Sequence, residues 1–288
     1  MKFEKTFKIA NDLMVNRIGF GAMRITGKGI WGLPENKNEA LKVLKRAVEL
    51  GVNFIDTADS YGPNVSEELI AEALFPYPKN LVIATKGGFL RSGPQQWAID
   101  ASPAHLEKAL DGSLKRLKLD TIDLYQLHRI DPNVPAQLTF EFLKQAQQSG
   151  KIKHIGLSEV SVDEIKMAEK YFKVVSVQNK YSVDFRNWEP VLEYCNQNHI
   201  AFIPWNPLNA GHVGRIEMIQ KIAEKNNSNV NTIALNWLLH HSGNILLIPG
   251  TSSIMHLEEN MKCNSIELSD GEMLELNKIY SFSSKAGI

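Results

Sequence analysis

The sequence predicts an α/β fold, a (β/α)8 TIM barrel built as a single domain of residues 1–288. Three observations lead there. Eight short runs rich in Val, Ile, Leu and Phe recur along the chain, as strands covered on both faces should. Helical patterns alternate with them, which points to a parallel sheet, and eight strands close such a barrel. The length of 288 residues also suits one barrel, since these run to roughly 250 residues as one unit. An open doubly wound sheet is the structural competitor.

The elements follow in order. "VNRIGFG" (15–21) is the first strand. "NEALKVLKRAVELG" (38–51) sets Leu41, Leu44, Ala47 and Val48 on one helical face, with Gly51 as C-cap. "VNFID" (52–56) and "NLVIATK" (80–86) are the second and third strands. "SPAHLEKALDGSLKRLKLD" (102–120) opens with Ser102 as N-cap and Pro103 at the first helical position. "TIDLYQLH" (121–128) is the fourth strand, and "PAQLTFEFLKQAQQSGK" (135–151) is a helix ending at Gly150. After the fifth strand, "KHIGLS" (153–158), a capping box of Ser161 and Glu164 opens "SVDEIKMAEKYF" (161–172). "VVSVQ" (174–178), "IAFIPW" (200–205) and "NILLIPG" (244–250) complete the set.

Composition narrows the class. Lys plus Arg total 32 and Asp plus Glu total 32, so the net charge is zero. That argues against nucleic acid or an anionic membrane as a bulk electrostatic partner. The two cysteines, Cys195 and Cys263, sit in no CxxC or matching histidine spacing. They read as structural thiols in a reducing compartment, with no metal site. The opening "MKFEKTFKIANDL" has no apolar h-region, and no run approaches the roughly 20 residues that span a bilayer. A cytoplasmic protein is expected.

Barrels carry their chemistry at the C-terminal ends of the strands. Asp56, Lys86, His128, Ser158, Gln178, Trp205 and the segment from Pro249 fall there. Each alone has an ordinary structural reading. Together on one rim they do not. In "NFIDTADSYG" (53–62) a turn accounts for Gly62 and one aspartate, but not for Tyr61. "GFGAMR" (19–24) begins like a G-x-G-x-x-G dinucleotide fingerprint, but Arg24 replaces the third glycine and no helix follows directly. Gly19 and Gly21 then read as tight backbone at a strand end.

"FIDTADSYG", "VIATKGG", "DLYQLH", "IGLSEV", "SVQNKYS" and "IPGTSSIMHLEEN" occur in this order. Over about residues 8 to 265 the chain resembles an aldo-keto reductase, a family of metal-free, NADPH-dependent carbonyl reductases on a (β/α)8 barrel. The resemblance implies a catalytic tetrad of Asp56, Tyr61, Lys86 and His128. A carbonyl that accepts hydride needs a proton. The Tyr61 phenol, with an ordinary pKa of about 10, is expected to fall by roughly 1–3 units beside the Lys86 ammonium. Asp56 would hold Lys86 in place and so temper that effect. His128 would orient the carbonyl oxygen. Asp59 remains a loop or helix-start residue.

The resemblance also implies the NADPH site. Ser158 and Gln178 would take the nicotinamide carboxamide, and Trp205 would be the stacking aromatic, usually tyrosine in the family. Gly21, at the end of the first strand, and Met23, just after it, join the cofactor set. Asn206, Pro207 and Leu208 would pass the pyrophosphate. Gly250, Thr251 and Ser252 lead into a helix beginning near Ser253, whose N-terminus suits phosphate. His256 stands where many relatives carry an arginine for the 2′-phosphate, and Glu259 and Asn260 resemble adenine contacts. Glu159 replaces a frequent asparagine, and Gly250 stands where some members have a lysine.

Loops after the strands offer substrate contacts. Trp31 and Arg129 are the candidates carried forward, with Phe89, Arg91 and residues 206–214 beside them. "GAMRITGKGIWG" and "LHRID" resemble the branch that includes pyridoxal reductases, which implies a small aromatic aldehyde such as pyridoxal as the carbonyl substrate. A broad-specificity aldehyde reductase is the competing assignment. The rival function is a non-catalytic NADP(H)-binding regulatory subunit, against which the four tetrad residues speak. A metal-dependent barrel hydrolase would want a His-x-His pattern that the chain lacks. A monomer or weak oligomer is expected, with a tail, "SFSSKAGI", too short to cap much of the pocket.

Overall fold

The first expected strand divides in two. In the computed structural model, which describes residues 3–10 and 12–283 with side chains as far as residue 280, β1 (Thr6–Ile9) and β2 (Leu13–Asn16) pair as an antiparallel hairpin. Only β3 (Phe20–Gly21) joins the main sheet from this region. The chain then forms β4 (Phe54–Asp56), β5 (Val82–Gly87), a second hairpin of β6 (Phe89–Gly93) with β7 (Gln96–Ile99), β8 (Ile122–Leu127), β9 (Ile152–Ser158), β10 (Val174–Gln178) and β11 (Ala201–Phe202). Among the described residues the main sheet has seven strands, ordered β11-β10-β9-β8-β5-β4-β3, every pair parallel. The tail expectation on 281–288 concerns side chains outside the described residues.

The eighth run forms no regular strand. Instead Ile245 bridges Phe202 and Leu247 bridges Ile18, at opposite edges of the sheet. The backbone N–H of Leu246 donates to Phe202 O at 2.9 Å, and that of Gly19 to Leu247 O at 2.8 Å. Residues 244–248 therefore touch both edges through single bridges.

Helices cover the outside, and their ends follow local chemistry. Lys37–Glu49 is capped by Asn36, whose side chain accepts from the Glu39 N–H. Its C-cap is Leu50, and Gly51, one residue on, takes the left-handed φ of +93° that glycine tolerates. Ser102 caps Pro103–Leu117, and the Ser161–Glu164 capping box opens Val162–Ala168. The sequence reading missed Val65–Leu74, Glu189–Gln197, Glu217–Lys225, Val230–His241 and Asp270–Ser283. Val230–His241 is buried almost all round, so it shows no polar–apolar period to read. No helix of the described residues is long and apolar enough to cross a membrane.

The interior explains where the site lies. Ile9, Leu13 and Val15 of the first hairpin share one buried cluster with Phe54, Val82, Leu124, Val175 and Leu246. Asn53, just ahead of β4, fastens the hairpin, accepting from Asn16 N at 2.7 Å and donating to Met14 O at 3.0 Å. The hairpin thus covers the end where the strands start. Strand alternation carries Phe54 on to Asp56, Val82 and Ala84 on to Lys86, and Leu124 on to Gln126. The apolar plug gives way to polar groups at the C-terminal end.

Candidate active site

Four strands deliver one buried hydrogen-bond network. Lys86, fully buried, donates to Asp56 Oδ2 at 2.6 Å, to the Thr57 carbonyl at 2.8 Å and to Tyr61 Oη at 3.3 Å. An ammonium has three protons, so all its donors are placed. Tyr61 Oη accepts from Lys86, which leaves the phenol's own proton free for another partner. Gln126 and Gln178 both donate to Asp56 Oδ1. Sequence reading missed Gln126. Its signal was the two-residue alternation in "DLYQLH", which puts Gln126 on the same side as His128.

The electrostatics differ from expectation at one point. Burial dominates Tyr61 and raises its phenol; Lys86 pulls it down and Asp56 pushes it up, and the net direction is upward. The expected drop beside the ammonium is overturned because the phenol is almost dry, 7 % exposed, and because Asp56 offsets the lysine. Burial alone would push the Lys86 ammonium down, yet Asp56 and Tyr61 outweigh it and raise it. Burial, Lys86 and Arg129 together hold His128 well below the ordinary imidazole range, so it is neutral at neutral pH. Its ring meets Tyr61 edge-on at 5.9 Å and Phe89 at 4.5 Å.

Tyr61, His128 and Asp56 open onto a cavity of about 680 Å³. Its wall also contains the predicted Gly21, Met23, Arg129, Ser158 and Gln178, and the predicted Trp205, Asn206, Pro207, Leu208 and Gly250. Lys86 sits behind the wall. Thr251, Ser252, His256, Glu259 and Asn260 lie outside it, along and just before the helix Ile254–Met261. That helix is capped by Ser253, whose Oγ accepts from the His256 N–H, and the Thr251 hydroxyl accepts from Ser253 N at 3.1 Å. His256 and Ser252 are exposed, whereas Asn260 is buried. Trp31 lies off the wall as well, beneath the Arg91 guanidinium at 5.7 Å.

Several wall residues escaped the sequence reading. Trp97 comes from the β6–β7 hairpin and Asn231 from the start of Val230–His241. Arg24, the residue that spoils the glycine motif, is exposed at the cavity's edge beside Gly250. The glycines there have a steric cause. A Cβ on Gly250 would stand 2.5 Å from the Gly21 carbonyl, and one on Gly21 would stand 2.5 Å from that of Ile248. No side chain, lysine included, fits at Gly250 without moving that backbone. Asp59 is also more than a loop residue: Asn64 holds the N-cap position of the next helix, without a side-chain cap, and Asp59 is buried beside Glu67 and Arg116.

The donor set suits a carboxamide. Both N–H groups of Gln178 are engaged, by Asp56 Oδ1 and by Gln126 Oε1 at 3.4 Å, so its Oε1 is left to accept. Ser158 Oγ accepts from Arg129 Nη1 at 3.0 Å, so its hydroxyl is left to donate. One acceptor and one donor then face the wall beside the Trp205 ring. Among the described residues no group of three or more His, Cys, Asp or Glu side chains converges as a metal site would.

The parallel sheet and the buried polar network at its C-terminal end set the fold class, and comparison with known proteins gives the family. A profile of the Aldo/keto reductase family matches residues 17–281, and the chain belongs to that family. It is 50 % identical over 268 residues to an uncharacterized oxidoreductase of Schizosaccharomyces pombe, covering 93 % of this chain and 87 % of that one. It is 39 % identical over 271 residues to the pyridoxine 4-dehydrogenase of Escherichia coli K12, covering 92 % and 95 %. Among solved structures, an aldo-keto reductase from Klebsiella pneumoniae in complex with NADPH superposes with a TM-score of 0.82 at 25 % identity, covering 97 % of this chain and 96 % of that one.

Proposed function

We propose that this protein reduces small aldehydes or ketones to alcohols, with NADPH as reductant and Tyr61 as the proton donor. One observation carries the proposal: Lys86 is saturated by Asp56, Thr57 and Tyr61, and leaves the Tyr61 proton available at a cavity wall shared with His128. NADPH, when bound, supplies the hydride. Its carboxamide would be held by Ser158 and Gln178, its nicotinamide would lie on Trp205, and its phosphates would run past Asn206–Leu208 toward Gly250, Thr251 and Ser252. His256 would meet the 2′-phosphate and Glu259 and Asn260 the adenine. The Klebsiella complex with NADPH supports the choice of cofactor.

The residues' own work follows from their states. A raised phenol keeps Tyr61 protonated at neutral pH, so every molecule carries the acid. As the proton leaves for the carbonyl oxygen, the phenolate forms against a fixed ammonium, which stabilises the transition state without reorganisation. Asp56 holds that ammonium. Neutral His128 donates a hydrogen bond to the same oxygen and orients it.

The pyridoxine 4-dehydrogenase relative supports a pyridoxal-type substrate. Arg129 suits the phenolic oxygen of such a ring: its Nη1 serves His128 O and Ser158 Oγ, and no other guanidinium N–H has a partner among the described residues. We also take residues 244–248 as the eighth stave of a closed barrel and the whole chain as one domain, since residues as far apart as Gly21 and Gly250 build the same cavity wall. Two buried free cysteines fit a reducing cytoplasm.

The test is NADPH consumption across an aldehyde panel that includes pyridoxal, wild type beside Tyr61→Phe. Turnover that collapses in the variant supports Tyr61 as acid, and the panel ranks substrates. NADPH binding without turnover of any aldehyde would instead favour a regulatory subunit.

A further inference from the structure

Trp205 is the one large aromatic face that the proposed nicotinamide site depends on, and its plane is fixed by an unusual partner. The indole Nε1–H donates to Glu159 Oε1 at 2.6 Å. The same oxygen accepts the Lys180 backbone N–H at 2.5 Å. The backbones on both sides are already anchored. Trp205 N donates to Asn179 O at 3.1 Å, and Tyr181 N donates to Trp205 O at 3.3 Å. The Asn179 side chain accepts from Val160 N at 3.1 Å and donates to Val160 O at 2.8 Å. Glu159 N donates to Gln178 O at 3.1 Å. With the main chain set, the freedom left to Trp205 is rotation of its ring, and Glu159 takes that away.

Glu159 is held for this at a cost. It sits at φ +54°, a left-handed conformation that disfavours a residue with a Cβ. A half-buried indole N–H seeks an acceptor, and an ionised one makes the shorter, stronger bond. We infer that Glu159 is a positioning residue: its carboxylate locks the Trp205 indole plane as the platform on which the nicotinamide ring stacks. This rests on the cofactor reading above. A backbone brace, in which Glu159 matters only for Lys180, is the alternative to be separated.

Tryptophan emission overlaps NADPH absorption, so binding is read by fluorescence quenching without turnover. NADPH is titrated into wild type, E159Q, E159A, W205F and E159A/W205F, with the melting temperature of each as control. A single well-placed hydrogen bond to a charged group predicts about tenfold weaker NADPH binding in E159A. E159Q, whose amide oxygen still accepts both N–H groups, binds within about twofold of wild type. In the W205F background, loss of Glu159 changes affinity by less than about twofold. E159D keeps the charge and shortens the reach; it shows the E159A effect and serves in its place should E159A not fold. Unchanged affinity in E159A, or an equal loss with and without Trp205, overturns the inference and leaves the cofactor site intact. A wild type that NADPH does not quench overturns the cofactor reading itself, and the inference with it.

Discussion

Gln126 and Gln178 share one acceptor: the side-chain amide of each donates to Oδ1 of Asp56 at 2.9 Å. The other carboxylate oxygen receives Lys86 at 2.6 Å. A carboxylate 2 % exposed is tolerable only because donors reach both its oxygens. Gln126→Leu removes one donor and leaves the charge under-satisfied. The expected cost is about 1–3 kcal/mol of stability, with kcat falling as Lys86 loosens. Chemical denaturation beside steady-state kinetics checks this, and an unchanged midpoint would show that Gln178 alone suffices.

The Lys86–Asp56 pair predicts a sharper effect. Both groups are essentially dry, so removing one strands the other. Lys86→Met is expected to destabilise the fold by about 3–5 kcal/mol and to lower kcat at least about a hundredfold. The Tyr61 phenol, already raised, should climb further without its ammonium. Ultraviolet titration of tyrosinate in Lys86→Met against wild type reads that directly. A phenol that ionises at lower pH in the variant would sink the account of Tyr61.

How much of this could be read from sequence depended on distance along the chain. Asp56, Lys86 and His128 were legible because each ends an apolar run, and strand ends share one rim in this fold. Helix starts at Ser102 and Ser161 were legible because caps act within three residues. Contacts between distant segments were not. Arg24 looked only like a failed glycine motif, since its neighbour Gly250 arrives through the fold. The first hairpin was invisible because β2 continues the apolar run that leads into β3. The direction of the Tyr61 shift was misjudged because burial cannot be counted from residue identities.

Asp59 supplies a pH signature. Burial first, then Glu67, raises its carboxyl to about 8, with Arg116 opposing. Glu67 itself is engaged by Arg116 at 2.7 Å and by Thr85 Oγ1 at 2.6 Å. A carboxyl whose folded pKa lies above its ordinary 3.8 supports the fold fully below that value, and the support is lost as pH rises toward about 8. Asp59→Asn cannot ionise. Relative to wild type it should gain at least about 1 kcal/mol between mildly acidic and mildly alkaline pH, or roughly 2–4 °C for a chain of this size. Melting curves across that range decide it; a gap that does not move with pH would mean that Asp59 is ionised in the folded state.

Arg91 ties three segments around the cavity together. Its Nη1 donates to Ser60 O at 2.8 Å, next to Tyr61, and its Nη2 to Gly29 O at 3.2 Å. Its Nε donates to Gln96 O at 2.9 Å, within the β6–β7 hairpin. The guanidinium lies over the Trp97 ring at 3.6 Å and reaches Trp31 at 5.7 Å. Three loops thus meet on one planar fork, a geometry that lysine cannot copy. Arg91→Lys should behave much like Arg91→Ala, with KM for the carbonyl substrate rising by about tenfold and the hairpin becoming sensitive to limited proteolysis. Trp31→Phe should change KM little, because Trp31 supports Arg91 from outside the cavity wall. If Trp31→Phe raised KM as much as Arg91→Ala while leaving proteolysis unchanged, Trp31 would have to be restored as a direct substrate contact.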